Sequence, residues 1–143
     1  KMNVLNIKKN TEKFDIIILS GVLSIFDNAE KVLKNLIKIL KPKGKIYIFE
    51  SLNIYSYNLH IKAETFKKNK KIVWFKNMYS TDFIKKFASK NKKKCSLFPF
   101  QLKINLKKNY KNLQYGWTEI LSKKKIVTSG LGLIHNQFWV KIY

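Results

Sequence analysis

Two apolar runs separated by an amphipathic stretch constrain the fold more than any other feature of this sequence. Residues Phe14–Ser20 (FDIIILS) form a continuous run rich in isoleucine, which is typical of a strand buried on both faces in a parallel sheet. A second run follows at residues 45–50 (KIYIFE). Between them, apolar residues recur every three or four positions, which predicts an amphipathic helix. Strand, helix and strand within about 35 residues indicate a right-handed βαβ unit.

Local signals predict where the helix of this unit begins and ends. Asp27 is followed three residues later by Glu30, a capping-box pattern that favours Asp27 as the N-cap. Residues 41–44 (KPKG) place lysines, a proline and a glycine after the last apolar position, and these residue types end helices.

The second half of the sequence predicts mostly antiparallel strands. The predicted elements are a helix over residues 54–71, a helix that begins at Ser80 or Thr81, a strand over 97–106, a hairpin that turns at 122–124, and a last strand over 138–143. No Pro/Gly/Ser-rich linker divides the chain. We therefore expect one α/β domain over residues 1–143, with a parallel first half and antiparallel C-terminal strands.

The composition leaves the class of partner open. The net charge of +22 suggests an anionic partner such as nucleic acid. However, all 30 basic residues are lysine, whereas arginine is the residue that usually donates paired hydrogen bonds to phosphates and guanine edges. The abundance of Lys, Asn and Ile also matches codon bias in an AT-rich genome, so a nucleic-acid partner is the less favoured hypothesis. A single cysteine excludes an intrachain disulfide and favours a reducing cytoplasm. No apolar run approaches the roughly 18 residues of a membrane span.

Residues 14–53, FDIIILSGVLSIFDNAEKVLKNLIKILKPKGKIYIFESLN, resemble the middle of class I S-adenosylmethionine-dependent methyltransferases. In that family an FD-apolar strand leads into a GVL-His-type loop, a helix ending LKPGG, and an apolar strand that ends in an acid. Ser24 stands where many members have His, and Lys43 stands where they have the first Gly. The segment is similar to the family's fourth strand, the helix after it and its fifth strand.

The resemblance extends towards the C-terminus. Residues 74–80 (WFKNMYS), residues 116–121 (GWTEIL) and the Thr-Ser-Gly at 128–130 are similar to a methyltransferase subgroup with a W-x-N-x-Y-S segment and a TWTE…SGPL tail. That subgroup is associated with bacterial surface-sugar genes. The resemblance therefore implies methyl transfer to a small molecule, such as a sugar or a surface-polysaccharide precursor.

The resemblance also implies a partial Rossmann-like sheet with an incomplete cofactor site. The family binds S-adenosylmethionine with a glycine-rich loop after its first strand, and no G-x-G precedes residue 14. The chain then corresponds to the C-terminal part of a methyltransferase domain and holds one wall of the pocket. We expect the rest to come from a missing N-terminal half or a homodimer. The alternatives are a lysine-rich binding module for nucleic acid or an anionic surface, and an inactive remnant or subunit of a split enzyme.

Cofactor-binding residues follow from the same resemblance. Ser20, Gly21 and Val22 leave the first strand at the carboxyl edge of the sheet, where such folds bind cofactors, and are expected to contact the methionine half of S-adenosylmethionine. Asn6 and Ile7 stand where members have an acid-apolar pair against the adenine. An asparagine side chain can accept a hydrogen bond from an adenine amine.

The remaining candidates concern the acceptor. The expected substrate-binding residues are Leu23, Ser24, Asn53, Tyr79 and Trp117. Glu50 and His135 are the candidate catalytic residues, since either side chain can act as a general base. Each has a structural alternative: a turn, a packed ring, a cap or a solvated side chain. No His/Cys/Asp/Glu set has metal-ligand spacing, so no metal is expected.

Overall fold

The computed structural model describes residues 3–8, 11–64, 73–108 and 115–143, with the backbone alone for 63 and 73–75. Its strands and helices, in chain order, are β1 (Phe14–Ser20), a 3₁₀ turn (Leu23–Ile25), α1 (Ala29–Lys38), β2 (Leu40–Ser51), β3 (Leu59–Glu64), β4 (Val73–Met78), α2 (Thr81–Lys90), β5 (Cys95–Phe100), β6 (Gly116–Leu121), β7 (Lys124–Ser129) and β8 (Gln137–Ile142). Neither of these helices has the length and apolar character that crossing a bilayer requires.

A four-stranded mixed sheet forms the body of the described structure, in the order β1-β2-β8-β5. Strand β1 runs parallel to β2, while β8 runs antiparallel to both β2 and β5. Two further hairpins, β3-β4 and β6-β7, are antiparallel. The predicted fold class, a partial Rossmann-like sheet with a parallel first half and antiparallel C-terminal strands, is confirmed.

The core lies between this sheet and the two helices. Leu33 of α1 and Ile84 of α2 are completely buried, as are Ile46 and Ile48 of β2 and Val140 of β8. Burying a side chain of this size stabilises a fold by about 1.5–3 kcal/mol. Strand β2 has a neighbour on each side, because β1 pairs with one of its edges and β8 with the other.

Strand β1 departs from its prediction, because it is not buried on both faces. Ile16 and Ile18 are 57% and 67% exposed, whereas Leu19 on the alternate face is buried. Among the described strands only β2 pairs with β1, so its outer edge carries unpaired backbone groups. The sequence predicted burial from apolarity alone, and the elements that would cover this face are not among those described.

The start of α1 also differs from its prediction. The N-cap is Asn28, whose side-chain oxygen accepts a hydrogen bond from the Lys31 N–H at 2.9 Å. Asp27 was predicted as the cap, but the helix begins one residue later, and an Asp27 oxygen instead lies 3.3 Å from the Asn77 amide nitrogen. Either side chain can cap a helix, so the register of the chain decides between them.

Two predicted elements in the second half were wrong. The helix expected over 54–71 is replaced over its described part by β3, which pairs with β4 from Leu59↔Met78 to Glu64↔Val73; residues 65–72 lie outside the described residues. The strand expected over 97–106 begins at Cys95 and ends at Phe100, which pairs with the first residue of β8, Gln137.

Other predictions in this half are confirmed. Ser80 caps α2, since its hydroxyl accepts a hydrogen bond from the Phe83 N–H at 2.9 Å. The predicted hairpin turns at Ser122 and Lys123, which both adopt positive φ (48° and 65°). Positive φ at both central residues is the signature of a type I′ turn, whose twist matches that of the strands.

Candidate functional site

The carboxyl ends of β1 and β2 meet at one edge of the sheet. Ser20 pairs with Phe49, and the Gly21 N–H then donates to the Phe49 carbonyl oxygen at 2.8 Å. Gly21 adopts φ +62°, a conformation that favours glycine, and an added Cβ there would meet nothing within 4 Å. Ser20 and Gly21 are exposed and Val22 is half-buried, so the backbone at this edge is open to a ligand.

The chain after Gly21 turns back onto the sheet and is held by Glu50. Leu23 and Ser24 are buried in the 3₁₀ turn. The Ser24 N–H donates to Glu50 Oε2 at 3.2 Å, and the Ser51 N–H donates to Glu50 Oε1 at 3.1 Å. The Glu50 carboxylate, only 5% exposed, therefore fixes the loop that follows β1 to the end of β2.

Burial governs the ionisation of this carboxylate and of the nearest lysine. Burial raises the pKa of Glu50, while the backbone N–H groups of Ser24 and Ser51 and the charge of Lys76 oppose the rise. Burial lowers the pKa of Lys76, and the charge of Glu50 opposes that shift. The two groups stabilise each other's charged forms through space, although none of the ion pairs within 4.0 Å among described residues joins them.

His135 is in direct contact with Lys76. Its backbone N–H donates to the Val127 carbonyl oxygen at 2.8 Å, and its Nδ1 lies 3.2 Å from Lys76 Nζ. An ammonium has only donors, so Nδ1 must accept and the ring proton sits on Nε2. Burial, together with the charge of Lys76, lowers the pKa of His135 to about 4, so the imidazole is neutral near pH 7.

This arrangement bears on the predicted role of His135 as a general base. Its basic nitrogen is occupied by Lys76, while Nε2 is buried without a hydrogen-bond partner among the described residues. In this geometry Nδ1 accepts from Lys76, and Nε2 carries the ring proton and can only donate. His135 can therefore act as a base only after Lys76 has moved away from Nδ1. The catalytic roles of Glu50 and His135 stay predictions.

A cavity of about 310 Å³ lies beside these groups. Phe49 and Phe100 form part of its wall, with ring centroids 5.3 Å apart in an edge-to-face arrangement. Its polar wall is formed by the side chains of Ser51, Lys76, His135 and Gln137, and its remaining wall by Leu102, Leu106, Gly116 and Val127. Small-molecule sites combine such an apolar wall with a few polar groups.

Asn53 and Tyr79, two predicted substrate-binding residues, are buried with their polar atoms engaged inside the protein. The Asn53 side chain accepts from the Tyr55 N–H at 3.1 Å and donates to the Tyr57 carbonyl at 2.9 Å, so it shapes the loop after β2. The Tyr79 hydroxyl donates to the Phe26 carbonyl. Contact of either side chain with a substrate stays a prediction.

The remaining candidates lie further from the edge where β1 ends. Trp117 is buried on the hairpin β6-β7, and its Nε1–H donates to Glu119 at 2.8 Å. Asn6 is exposed in a short turn, and Ile7 packs on the core, so their predicted contact with an adenine is neither made nor excluded. Among the described residues, no three His, Cys, Asp or Glu side chains come close enough together to hold a metal ion.

Sequence reasoning missed Lys76 and Asn77. The Asn77 amide, 2% exposed, donates to the Phe26 carbonyl at 2.9 Å, and its oxygen lies 2.7 Å from His60 Nδ1. Asn77 thereby joins β4 to the segment between the 3₁₀ turn and α1. Both residues lie within the WFKNMYS segment that carried part of the resemblance, which was the only available signal.

Comparisons with known proteins agree with this architecture. Residues 1–48 match a family model described as a methyltransferase domain, and no curated protein matches the chain. The structure is similar to the DhpI-SAM-HEP complex (TM-score 0.58, 6% identity, 100% of this chain and 56% of that one). It is also similar to the glycopeptide N-methyltransferase MtfA complexed with S-adenosylmethionine (0.55, 8%, 99% and 58%).

A SAM-dependent methyltransferase from Methanosarcina mazei is a third structural match (TM-score 0.57, 9% identity, 99% of this chain and 64% of that one). At such identities the likeness shows the fold. The chain spans a little over half the length of DhpI and MtfA. Residues 1–48 thus match a methyltransferase domain, and the described structure has a fold similar to that of these S-adenosylmethionine-dependent methyltransferases.

Proposed function

We propose that this chain supplies the acceptor side and one wall of the cofactor site of an S-adenosylmethionine-dependent methyltransferase acting on a small molecule. The observation that carries the proposal is the open loop Ser20–Val22 at the carboxyl edge of two parallel strands. Ligands of open α/β sheets bind in the crevice at that edge. The methyltransferase-domain match over residues 1–48 includes this loop, and the neighbours DhpI and MtfA were crystallised with S-adenosylmethionine.

The residues at this edge fit the cofactor. Gly21 leaves space where a side chain would stand, so a ligand can approach the backbone closely. When bound, S-adenosylmethionine supplies a methyl group on a sulfonium, which is a good leaving group. Ser20, Gly21 and Val22 would hold the methionine half of this cofactor, which would supply its methyl group to an oxygen, nitrogen or carbon atom of the acceptor and leave as S-adenosylhomocysteine.

The chain's own contribution is positioning. Glu50 fixes the loop after β1 through the Ser24 N–H, and Leu23 anchors the same loop as a fully buried side chain of the core. Holding two reactants aligned and dry is worth about 7–11 kcal/mol of the barrier at its best. The acceptor class suggested by the resemblance is a sugar or surface-polysaccharide precursor.

The exposed edge of β1 supports a second contributor to the site. Its unpaired backbone groups can pair with a further strand, and the exposed Ile16 and Ile18 lie on a face of the sheet that a further packed element would cover. We propose that the glycine-rich loop comes with that strand, from an N-terminal half or from a second copy. The alternative of a lysine-rich binding module stays a prediction, since no contact in the structure favours it.

Gly21 offers a test with a matched control. Gly132 also adopts positive φ (+68°) with nothing within 4 Å of an added Cβ, so Gly21→Ala and Gly132→Ala carry a similar local strain. The wild-type chain is expected to bind S-adenosylhomocysteine with a dissociation constant on the order of 1 mM, because it holds one wall of the pocket. Gly21→Ala should weaken that binding at least about fivefold, and Gly132→Ala should leave it unchanged, measured by saturation-transfer NMR. Equal affinities in all three proteins would contradict the proposal.

A further inference from the structure

We propose that the cavity beside the end of β2 is the acceptor subsite and takes a small molecule with an apolar ring or chain and one carboxylate, which Lys76 recognises. The inference rests on the proposed function for the word acceptor, and it favours a less polar acceptor than the sugar that the resemblance suggests. The cavity and its charge are properties of the chain alone.

Lys76 lies in this cavity without a direct counter-ion. In the described part of the chain no carboxylate oxygen lies within 4.0 Å of its ammonium. Glu50, the nearest charge acting on it, already accepts hydrogen bonds from the Ser24 and Ser51 N–H groups. Of the three ammonium donors, one is used by His135 Nδ1. A half-buried ammonium with open donors favours an anionic partner.

The neighbouring polar groups match a carboxylate. The Ser51 hydroxyl accepts a hydrogen bond from the Gln137 amide at 2.7 Å, so its own proton is free to donate into the cavity. Among the described residues that line the cavity, Lys76 alone carries a charged side chain. One ammonium and one hydroxyl suit a singly charged anion, whereas a phosphate monoester carries nearly two charges and calls for more cations.

The other walls match an apolar body. Phe49 and Phe100 form an edge-to-face pair, and Leu102, Leu106 and Val127 complete the wall. A volume of about 310 Å³ lies at the lower end of the range for ligand sites. A molecule of one ring and a short polar arm fits that volume.

The cavity adjoins the edge where methyl transfer is proposed. Phe49 lines the cavity, and its carbonyl oxygen accepts the hydrogen bond from Gly21 N–H at 2.8 Å. A ligand held against Phe49 and Lys76 therefore lies next to the loop assigned to the cofactor.

The test uses benzoate, and benzyl alcohol as its neutral counterpart, titrated into the full chain by NMR. The wild-type chain should bind benzoate at least about fivefold more tightly than benzyl alcohol, with shift changes at Ser51, Lys76 and Gln137. Lys76→Gln should abolish the preference, and Lys76→Arg should keep it. Lys45→Gln, which removes an exposed lysine of β2, should leave it unchanged.

Three results would overturn the proposal: equal affinity for the two probes in the wild type, an unaltered preference in folded Lys76→Gln, or tighter binding of phenyl phosphate than of benzoate. If Lys76→Gln does not fold, the wild-type and Lys76→Arg comparisons decide. Neither probe requires the cofactor, so failure of S-adenosylhomocysteine to bind would count against the proposed function while leaving the carboxylate site standing.

Discussion

Replacing Glu50 by alanine is expected to lower the free energy of unfolding by about 3 kcal/mol. The change leaves the Ser24 and Ser51 N–H groups without their acceptor and removes the charge that opposes the desolvation of Lys76. Each unsatisfied buried donor costs about 1–3 kcal/mol. Urea denaturation at neutral pH, followed by circular dichroism, measures the effect.

Two variants bracket this result. Glu50→Gln keeps a side-chain oxygen that can accept one of the two hydrogen bonds, so a loss of about 1 kcal/mol is expected. Glu12→Ala removes an exposed carboxylate and should stay within about 0.5 kcal/mol of the wild type. If Glu50→Ala behaves like Glu12→Ala, the carboxylate does not hold the loop.

Acid is expected to destabilise the protein through His135. The folded-state pKa of His135 is lowered from 6.5 to about 4, so the unfolded chain binds the proton more readily between those values. The stability associated with the neutral imidazole is present above pH 6.5 and is lost as the pH falls towards 4. By linkage the loss from this group alone is about 2 kcal/mol between pH 7.5 and pH 5.

Glu50 acts in the opposite direction, so a control is needed. Its pKa is raised, and protonation as the pH falls towards 4.5 relieves the cost of burying its charge. Comparing the wild type with His135→Gln over pH 7.5 to 5 isolates the histidine, because Gln does not titrate and can still accept from Lys76. The gap between the two stability curves should change by about 2 kcal/mol across this range; parallel curves would show that His135 does not titrate with a lowered pKa.

The sequence predicted the elements whose signals are local. Ser80 or Thr81 was predicted to cap α2 because a hydroxyl precedes a periodic apolar face, and Ser80 is the cap. The hairpin between β6 and β7 was predicted because polar residues separate two apolar runs. Strand β3 carries the alternation Leu59, Ile61 against His60, Lys62, but the mixed, lysine-rich composition of residues 54–71 favoured a helix. Pairing with β4, a non-local contact, decides its conformation.

The predicted burial of β1 was wrong because apolar residues show only that a strand can be buried. Whether its side chains are buried depends on the elements that pack against them. Ile16 and Ile18 have the composition of a central strand, yet β1 lies at an edge of the described sheet. The two isoleucines point to one face of the sheet, and they are exposed because no described element packs on that face.

The sequence placed its candidate residues at the edge where β1 and β2 end, but it did not predict the contacts made there. Topology brings the ends of β1 and β2 together, so Gly21, Ser24 and Glu50 could be placed from the order of the strands. Lys76 and His135 come from β4 and from the segment between β7 and β8, and their contact at 3.2 Å joins residues 59 positions apart. No periodic pattern encodes such a contact, because it depends on how separate hairpins pack on the sheet.

The most direct test of the central claim is to map S-adenosylhomocysteine onto the chain by ¹⁵N chemical-shift changes. The account predicts a cluster of shifted amides at Ser20, Gly21, Val22, Leu23 and Ser24, with smaller changes at the end of β2 and none on the hairpin β6-β7. Shifts confined to lysine-rich surfaces away from this loop, or no shifts at millimolar ligand, would contradict the assignment of a cofactor wall to the carboxyl edge of β1.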